Sequence, residues 1–143
     1  MPQYGAQVCC FGANEVNAHT ANLKWCMDSI DALSKFCHGA NKQWWHDPAT
    51  GEPLERNVPE MLMLIVSEIS EAMEAHRKDL MDDKLPDRRG IEVELADALI
   101  RIFDLGAGLG LDLGGAFADK MEYNRHRADH KPENRLKPGG KKY

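Results

Sequence analysis

The sequence contains one eight-residue pattern twice, and each copy is long enough for about two turns of helix. Residues 65–72 run Ile-x-x-Glu-Ile-x-Glu-Ala, and residues 91–98 run Ile-x-x-Glu-Leu-x-Asp-Ala. Acidic residues three positions apart lie on the same side of an α-helix. Two consecutive helices with this shared register therefore predict a helical hairpin whose carboxylates meet.

Each copy of the pattern accompanies apolar residues at helical spacing. The helix with the first copy carries Leu62, Ile65, Ile69, Met73 and His76 on one face. The helix with the second copy carries Ile91, Leu95, Ala98, Leu99 and Ile102. Such stripes usually face a core. We expect the two helices to pack antiparallel through these stripes, with the paired carboxylates at one rim.

The remaining periodicity favours an all-α fold. Helices are predicted over about 14–37, 59–80, 90–105 and 113–127, with a long Pro- and Gly-containing loop over 40–59. Residues 1–13 read as a loose lead-in and 129–143 as a flexible tail, which leaves one domain over 14–128. No segment shows a convincing strand pattern. The predicted core is of the four-helix bundle type.

Composition limits the function classes. A net charge of −5 argues against nucleic acid as a partner. The longest apolar run, residues 61–66, is too short to span a bilayer, and no signal peptide is evident. We therefore expect a cytoplasmic protein without a membrane partner. The four cysteines, Cys9, Cys10, Cys26 and Cys37, are expected to be reduced thiols, with a zinc site formed by Cys37, His38 and a remote Cys as an alternative.

The two acidic pairs are candidate metal ligands. Four clustered carboxylates repel one another unless a cation neutralises them. Oxygen ligands favour a hard cation such as Mg²⁺, which in turn commonly takes phosphate oxygens. The candidate ligands are Glu68, Glu71, Glu94 and Asp97. The alternatives are acidic residues that are merely solvated, and a di-iron site, which normally needs the Glu-x-x-His pairs that this chain lacks.

Basic residues further along the chain are candidate phosphate contacts. Lys120, Asn124 and Arg127 are spaced four and three apart, so they share one face of the fourth predicted helix. Arg101 follows Asp97 by one helical turn and is either a phosphate contact or an ion-pair partner of Asp97. The three residues of the fourth helix have an alternative too, as cations that favour a helix C-terminus.

Trp44 and Trp45 lie next to each other in the long polar loop. A loop tryptophan can stack on a nucleobase, or it can anchor the loop to the core. Anchoring is slightly favoured for each residue, but we expect at least one of the two near a ligand. Trp25, on the first helix, is expected in the core or in a subunit interface.

Three segments together resemble a known family. Glu68-x-x-Glu71, Glu94-x-x-Asp97 and Lys120-Met121-x-x-Asn124-Arg125-x-Arg127 resemble the MazG-like all-α nucleoside triphosphate pyrophosphohydrolase superfamily, which includes dCTP pyrophosphatases and dimeric dUTPases. The resemblance covers about residues 14–127. Many members carry a doubled Glu at the start of the first motif, whereas Ser67 precedes Glu68 here. This departure bears on the number of metal ions.

The resemblance implies a four-helix core that assembles as a homodimer or homotetramer. It implies Mg²⁺, with Mn²⁺ as an alternative ion, on the four carboxylates. It implies triphosphate contacts from the basic set and a base contact from a loop tryptophan. The implied reaction converts a nucleoside triphosphate to the monophosphate and pyrophosphate.

Either Glu68 or Glu71 is a candidate general base, and the sequence does not choose between them. Two alternatives remain open at this stage: a phosphoribosyl-ATP pyrophosphatase-like enzyme, and an inactive helical interaction module.

Overall fold

The computed structural model describes residues 13–127, 134, 137 and 138, with side chains from residue 18 onward. The predicted lead-in lies outside the described residues except for Ala13, and so does most of the predicted tail. Four helices are present: α1 over Ala13–Ala40, α2 over Val58–Lys78, α3 over Gly90–Gly108 and α4 over Leu113–His126. A short 3₁₀ helix spans Lys42–Trp45. No strand occurs among the described residues, so this part of the chain is all-helical, as predicted.

Local chemistry sets the ends of α2. The side chain of Asn57 accepts a hydrogen bond from the backbone N–H of Glu60, and Pro59 occupies the first turn, where a missing N–H costs nothing. The helix ends at Asp79, which adopts a left-handed conformation with φ 51° and ψ 46°. The backbone N–H of Asp79 then reaches back to carbonyl groups of the last turn.

Helices α2 and α3 form an antiparallel hairpin. The backbone N–H of Gly90 donates to the carbonyl of Leu80 at 2.9 Å, and Arg89 pairs with Asp79 at 3.1 Å. A Cβ on Gly90 would lie 2.9 Å from the Cβ of Ala75, so the start of α3 touches the end of α2. Further along, Arg101 of α3 reaches back to Glu68 of α2. The two helices thus run in opposite directions along their length.

The seam of this hairpin, meaning the residues packed between α2 and α3, differs from the predicted one. Its buried residues are small, with Ala72 and Ala75 on α2 and Ala98 on α3. The larger residues of the predicted stripes, Leu62, Ile69, Met73, Leu95, Leu99 and Ile102, are between 37% and 57% exposed. Of the predicted stripes, Ala98 is buried and Ile65 and Ile91 are half-buried, so the prediction was wrong for the six exposed residues. Small residues let helix backbones approach closely, and the bulky residues are left on the outside.

The described residues fall into two compact units. One contains residues 29–113, which include the end of α1, the long loop, α2 and α3. In the other, the part of α1 up to Asp28 accompanies α4 from Gly114 onward. There, the carboxylate of Glu122 in α4 forms hydrogen bonds with His19 of α1 at 3.0 Å and with His126 of its own helix at 2.8 Å. Among the described residues, no helix has both the length and the apolar character needed to cross a membrane.

A buried aspartate organises the core of the unit 29–113. Asp104 of α3 accepts hydrogen bonds from His38 Nδ1 at 2.8 Å and Asn41 Nδ2 at 3.3 Å, both near the end of α1. It also accepts one from Trp45 Nε1 at 2.8 Å. The Trp45 ring packs against Gly108, where any Cβ would overlap it. One carboxylate therefore fastens α1 and the long loop to α3.

Candidate functional site

The antiparallel hairpin brings three of the four predicted carboxylates together. Glu68 comes from α2, and Glu94 and Asp97 come from α3. One carboxylate oxygen from each lies within 4.8 Å of the others, and Glu68 is buried, Glu94 half-buried and Asp97 exposed. We call these three residues the carboxylate cluster. Its members lie where the paired Glu-x-x-acid motifs predicted a common point.

Glu71, the fourth predicted ligand, is exposed and lies outside this closely spaced group. It is nevertheless near enough for its charge to act on the cluster. Burial raises the pKa of the Glu94 carboxyl above its ordinary value of 4.5, and the charge of Glu71 raises it further, followed by effects of Glu68 and Asp97. Four carboxylates are therefore close enough to repel one another around Glu94.

Arg101 supplies the cation that contacts the cluster. Its Nε donates to Oε1 of Glu68 at 2.7 Å, while the Glu68 side chain is only 8% exposed. The sequence had offered Asp97, one turn earlier on the same helix, as the ion-pair partner. The structure instead pairs Arg101 across the hairpin, because α2 presents Glu68 directly beside α3.

The donor set of the cluster suits a hard divalent cation. All three groups offer carboxylate oxygens, and their mutual spacing allows one ion to contact each of them. A divalent ion would also relieve the repulsion that raises the pKa of Glu94. These residues fit a hard divalent cation in charge and ligand chemistry.

A cleft of about 470 Å³ opens beside the cluster, a volume within the range of small-molecule sites. Asp97 and Arg101 line it from α3, and Trp44 lines it from the 3₁₀ helix. The other lining residues are Asn41, Arg56, Met61, Leu64, Ile100 and Asp104. The cleft therefore combines an apolar floor with two arginines and an exposed indole.

The two adjacent tryptophans have different positions. Trp44 is 63% exposed and lines the cleft, whereas Trp45 is 8% exposed and belongs to the core around Asp104. Arg56 holds both in place, since its guanidinium donates to the Trp44 carbonyl and lies 5.8 Å from the centre of the Trp45 ring. Trp44 is thus the tryptophan that a ligand in the cleft can reach.

The predicted basic set lies in the other compact unit, on α4 and just after it. Lys120 Nζ lies 4.9 Å, and the Arg127 guanidinium carbon 5.9 Å, from the centre of the Tyr123 ring. Asn124, between them in sequence, is half-buried. Lys120 and Arg127 therefore both lie near the ring of Tyr123.

Sequence reasoning missed Asn41, Arg56 and Asp104. A signal existed for Asp104, which is an acid within the otherwise apolar run Ile102-Phe103-Asp104-Leu105 of a predicted helix. A buried charge of this kind needs partners. Asn41 and Arg56 gave no such signal, since polar residues in a polar loop are ordinary.

No protein-family model, no curated protein and no solved structure matches this chain. The likeness to the MazG-like superfamily therefore depends on the three sequence motifs alone.

Proposed function

We propose that this chain hydrolyses nucleoside or deoxynucleoside triphosphates to the monophosphate and pyrophosphate in a Mg²⁺-dependent reaction. The observation that carries the proposal is the carboxylate cluster, with its oxygens within 4.8 Å, at the edge of a cleft that also holds Trp44. A divalent ion, a polyphosphate and a base are the three components that this combination suits.

In this proposal Glu68, Glu94 and Asp97 hold Mg²⁺, with Mn²⁺ as a substitute, and Glu71 completes the acidic surroundings. The bound ion would neutralise phosphate charge that otherwise repels a nucleophile. The sequence motifs support the assignment, because both ligand pairs have the same helical register. The crowding of the cluster supports it too, because three carboxylates lie together and only one cation, Arg101, pairs with them among the described residues.

We propose Glu71, rather than Glu68, as the general base. Glu68 is buried and already accepts a hydrogen bond from Arg101, whereas Glu71 is exposed and can reach water. Glu71 would take a proton as the water oxygen bonds to the α-phosphorus. The bond from that phosphorus to the bridging oxygen then breaks, and pyrophosphate leaves with the electron pair.

The cleft supplies the proposed substrate contacts. Trp44 offers an exposed indole face for the base, and such stacking contributes about 1–3 kcal/mol. The guanidinium groups of Arg56 and Arg101 suit phosphate oxygens. Lys120, Asn124 and Arg127 remain proposed triphosphate contacts on the strength of their motif.

We further propose that the chain assembles with copies of itself, as a dimer or a tetramer. Among the described residues no large apolar side chain is completely buried, and the bulky residues of α2 and α3 remain substantially exposed. Contiguous exposed apolar surface usually marks an interface. Light scattering should give a mass of two or four chains, and Ile69→Glu should lower it. A monomeric wild type would refute this.

The activity is tested by pyrophosphate release from all common ribo- and deoxyribonucleoside triphosphates, with Mg²⁺ and with a chelator. At least one substrate should be turned over with Mg²⁺ only. Glu71→Gln should reduce kcat by at least about 100-fold, in the range of general-base catalysis. Glu74→Gln makes the same change one turn along α2, where Glu74 pairs with Arg77 and Lys78, and should keep full activity. Full activity of Glu71→Gln would remove Glu71 as the base.

A further inference from the structure

The carboxylate cluster already has a cation of its own. Arg101 Nε lies 2.7 Å from Oε1 of Glu68, and the exposed fractions of the two side chains are 43% and 8%. The pair is thus buried at the carboxylate end and open to solvent at the guanidinium end. Among the residues that the structure describes, no other basic side chain forms an ion pair with Glu68, Glu94 or Asp97.

This arrangement explains how the cluster can exist without a metal ion. Glu68 is one of only three buried polar or charged side chains in the described part of the chain, and two further carboxylates lie beside it. A buried carboxylate among other carboxylates is unfavourable unless a cation compensates it. Arg101 compensates it from across the hairpin.

We infer that Arg101 is a resident counter-cation, so that its ion pair with Glu68 opposes the binding of a divalent ion to the same carboxylates. The inference rests on the proposed function of the cluster. Two cations that share Glu68 repel each other, and a divalent ion must therefore weaken or displace the Arg101 pair. Arg101 also lines the cleft, so its guanidinium becomes available there to an anionic ligand once another cation neutralises Glu68.

A positioning role for Arg101 would have the opposite effect on affinity. Partners of metal ligands commonly orient them, and their loss weakens metal binding by about 10–100-fold. A counter-cation competes with the metal instead, and its loss strengthens metal binding. The sign of the change in metal affinity therefore separates the two roles without any measurement of activity.

The test compares wild type, Arg101→Gln and a matched control by calorimetric titration with Mg²⁺ alone and by thermal unfolding in a chelator. The control is Arg88→Gln, which removes a cation from an exposed pair with Glu92 at 3.7 Å, just before the second acidic motif. Arg101→Gln should bind Mg²⁺ at least about 5-fold more tightly, the lower end of usual coupling between sites. It should also unfold at a lower temperature in the chelator, while Arg88→Gln matches the wild type in both measurements.

Three results would overturn the inference. Unchanged or weaker Mg²⁺ binding by Arg101→Gln, with normal binding by the wild type, would refute the counter-cation alone. An unchanged unfolding temperature in the chelator would show that Glu68 needs no compensation. Absence of Mg²⁺ binding by both proteins would refute the metal site of the proposed function, and the inference with it.

Arg101→Lys provides a second variant if the glutamine variant does not fold without metal. It retains a compact positive charge but lacks the guanidinium geometry, so its pair with Glu68 should be weaker. Its Mg²⁺ affinity should therefore be higher than that of the wild type and of Arg88→Gln, and lower than that of a site with no positive charge at position 101. In the wild type, the Nε–H resonance of Arg101, identified by its loss in Arg101→Lys, should shift on addition of Mg²⁺. A resonance unmoved at saturating Mg²⁺ would contradict the competition.

Discussion

The indole Nε1 of Trp45 donates a 2.8 Å hydrogen bond to Oδ1 of Asp104, which joins the long loop to α3 inside the core. The same oxygen accepts from His38, and the neighbouring oxygen accepts from Asn41. Trp44, the residue immediately before Trp45, lines the cleft beside the carboxylate cluster. The position of a proposed substrate contact thus depends on hydrogen bonds to the buried carboxylate of Asp104.

Asp104→Asn is expected to destabilise the protein. The amide replaces one acceptor oxygen by a donor that faces other donors, and each buried donor left unsatisfied costs about 1–3 kcal/mol. Urea unfolding followed by tryptophan fluorescence measures the change. Asp83→Asn, an exposed change in the turn between α2 and α3, should alter stability little. Equal stability of Asp104→Asn and wild type would contradict the anchoring role.

Gly108→Ala is expected to destabilise the core, because the added methyl group would overlap the Trp45 ring. Overpacking of this kind typically costs about 1–3 kcal/mol. Gly39→Ala is the matched control, since it lies in α1 with nothing within 4 Å of the added Cβ. It should stabilise by about 0.5–1 kcal/mol through helix propensity. Changes of opposite sign in the free energy of unfolding in urea would support the packing of Trp45 against Gly108. An unchanged free energy of unfolding in Gly108→Ala would contradict it.

The stabilisation that Glu122 contributes to the fold should be lost at low pH. Hydrogen bonds from His126 and then His19 lower the pKa of the Glu122 carboxyl below its ordinary 4.5. A carboxyl whose pKa is lowered on folding stabilises the fold above its unfolded pKa, and this contribution disappears as pH falls through the folded value. Thermal unfolding between pH 7 and pH 3 should show a smaller acid-induced loss in Glu122→Gln than in wild type. Parallel pH profiles would rule out this contribution.

Cys37 should react slowly with alkylating reagents in the native protein. It is 7% exposed, and burial, with a further effect of the Asp104 charge, raises the pKa of its thiol above 9.0. The thiolate is the reactive form. Site-resolved mass spectrometry after iodoacetamide treatment should show slower labelling of Cys37 than of half-buried Cys26, with the difference lost in denaturant. Rapid native labelling of Cys37 would contradict its burial.

The sequence predicted the helices well because their signals are local. Pro59 and the turn residues before it mark the start of α2, and the periodicity of apolar residues reports each helix within a few positions. The face of α2 that packs was harder to predict. Periodicity favours large apolar residues such as Ile69, whereas the seam uses Ala72 and Ala75, whose small size allows close approach.

The part of the candidate site that lies within the repeated motif could be predicted from the sequence. The shared register of Glu68 with Glu94 and Asp97 indicated a meeting point once the helices formed a hairpin. The Arg101 pair with Glu68 was not predictable, because Asp97 was an equally suitable partner one turn away. The choice depends on the rotation of α2 against α3, which no local pattern specifies.

The central claim is tested most directly by following a turned-over nucleoside triphosphate by ³¹P NMR in ¹⁸O-labelled water with Mg²⁺. Attack at the α-phosphorus predicts a nucleoside monophosphate that carries the label and unlabelled pyrophosphate. The signals should be absent in a chelator. A nucleoside diphosphate with labelled inorganic phosphate, or no hydrolysis of any triphosphate, would contradict the account.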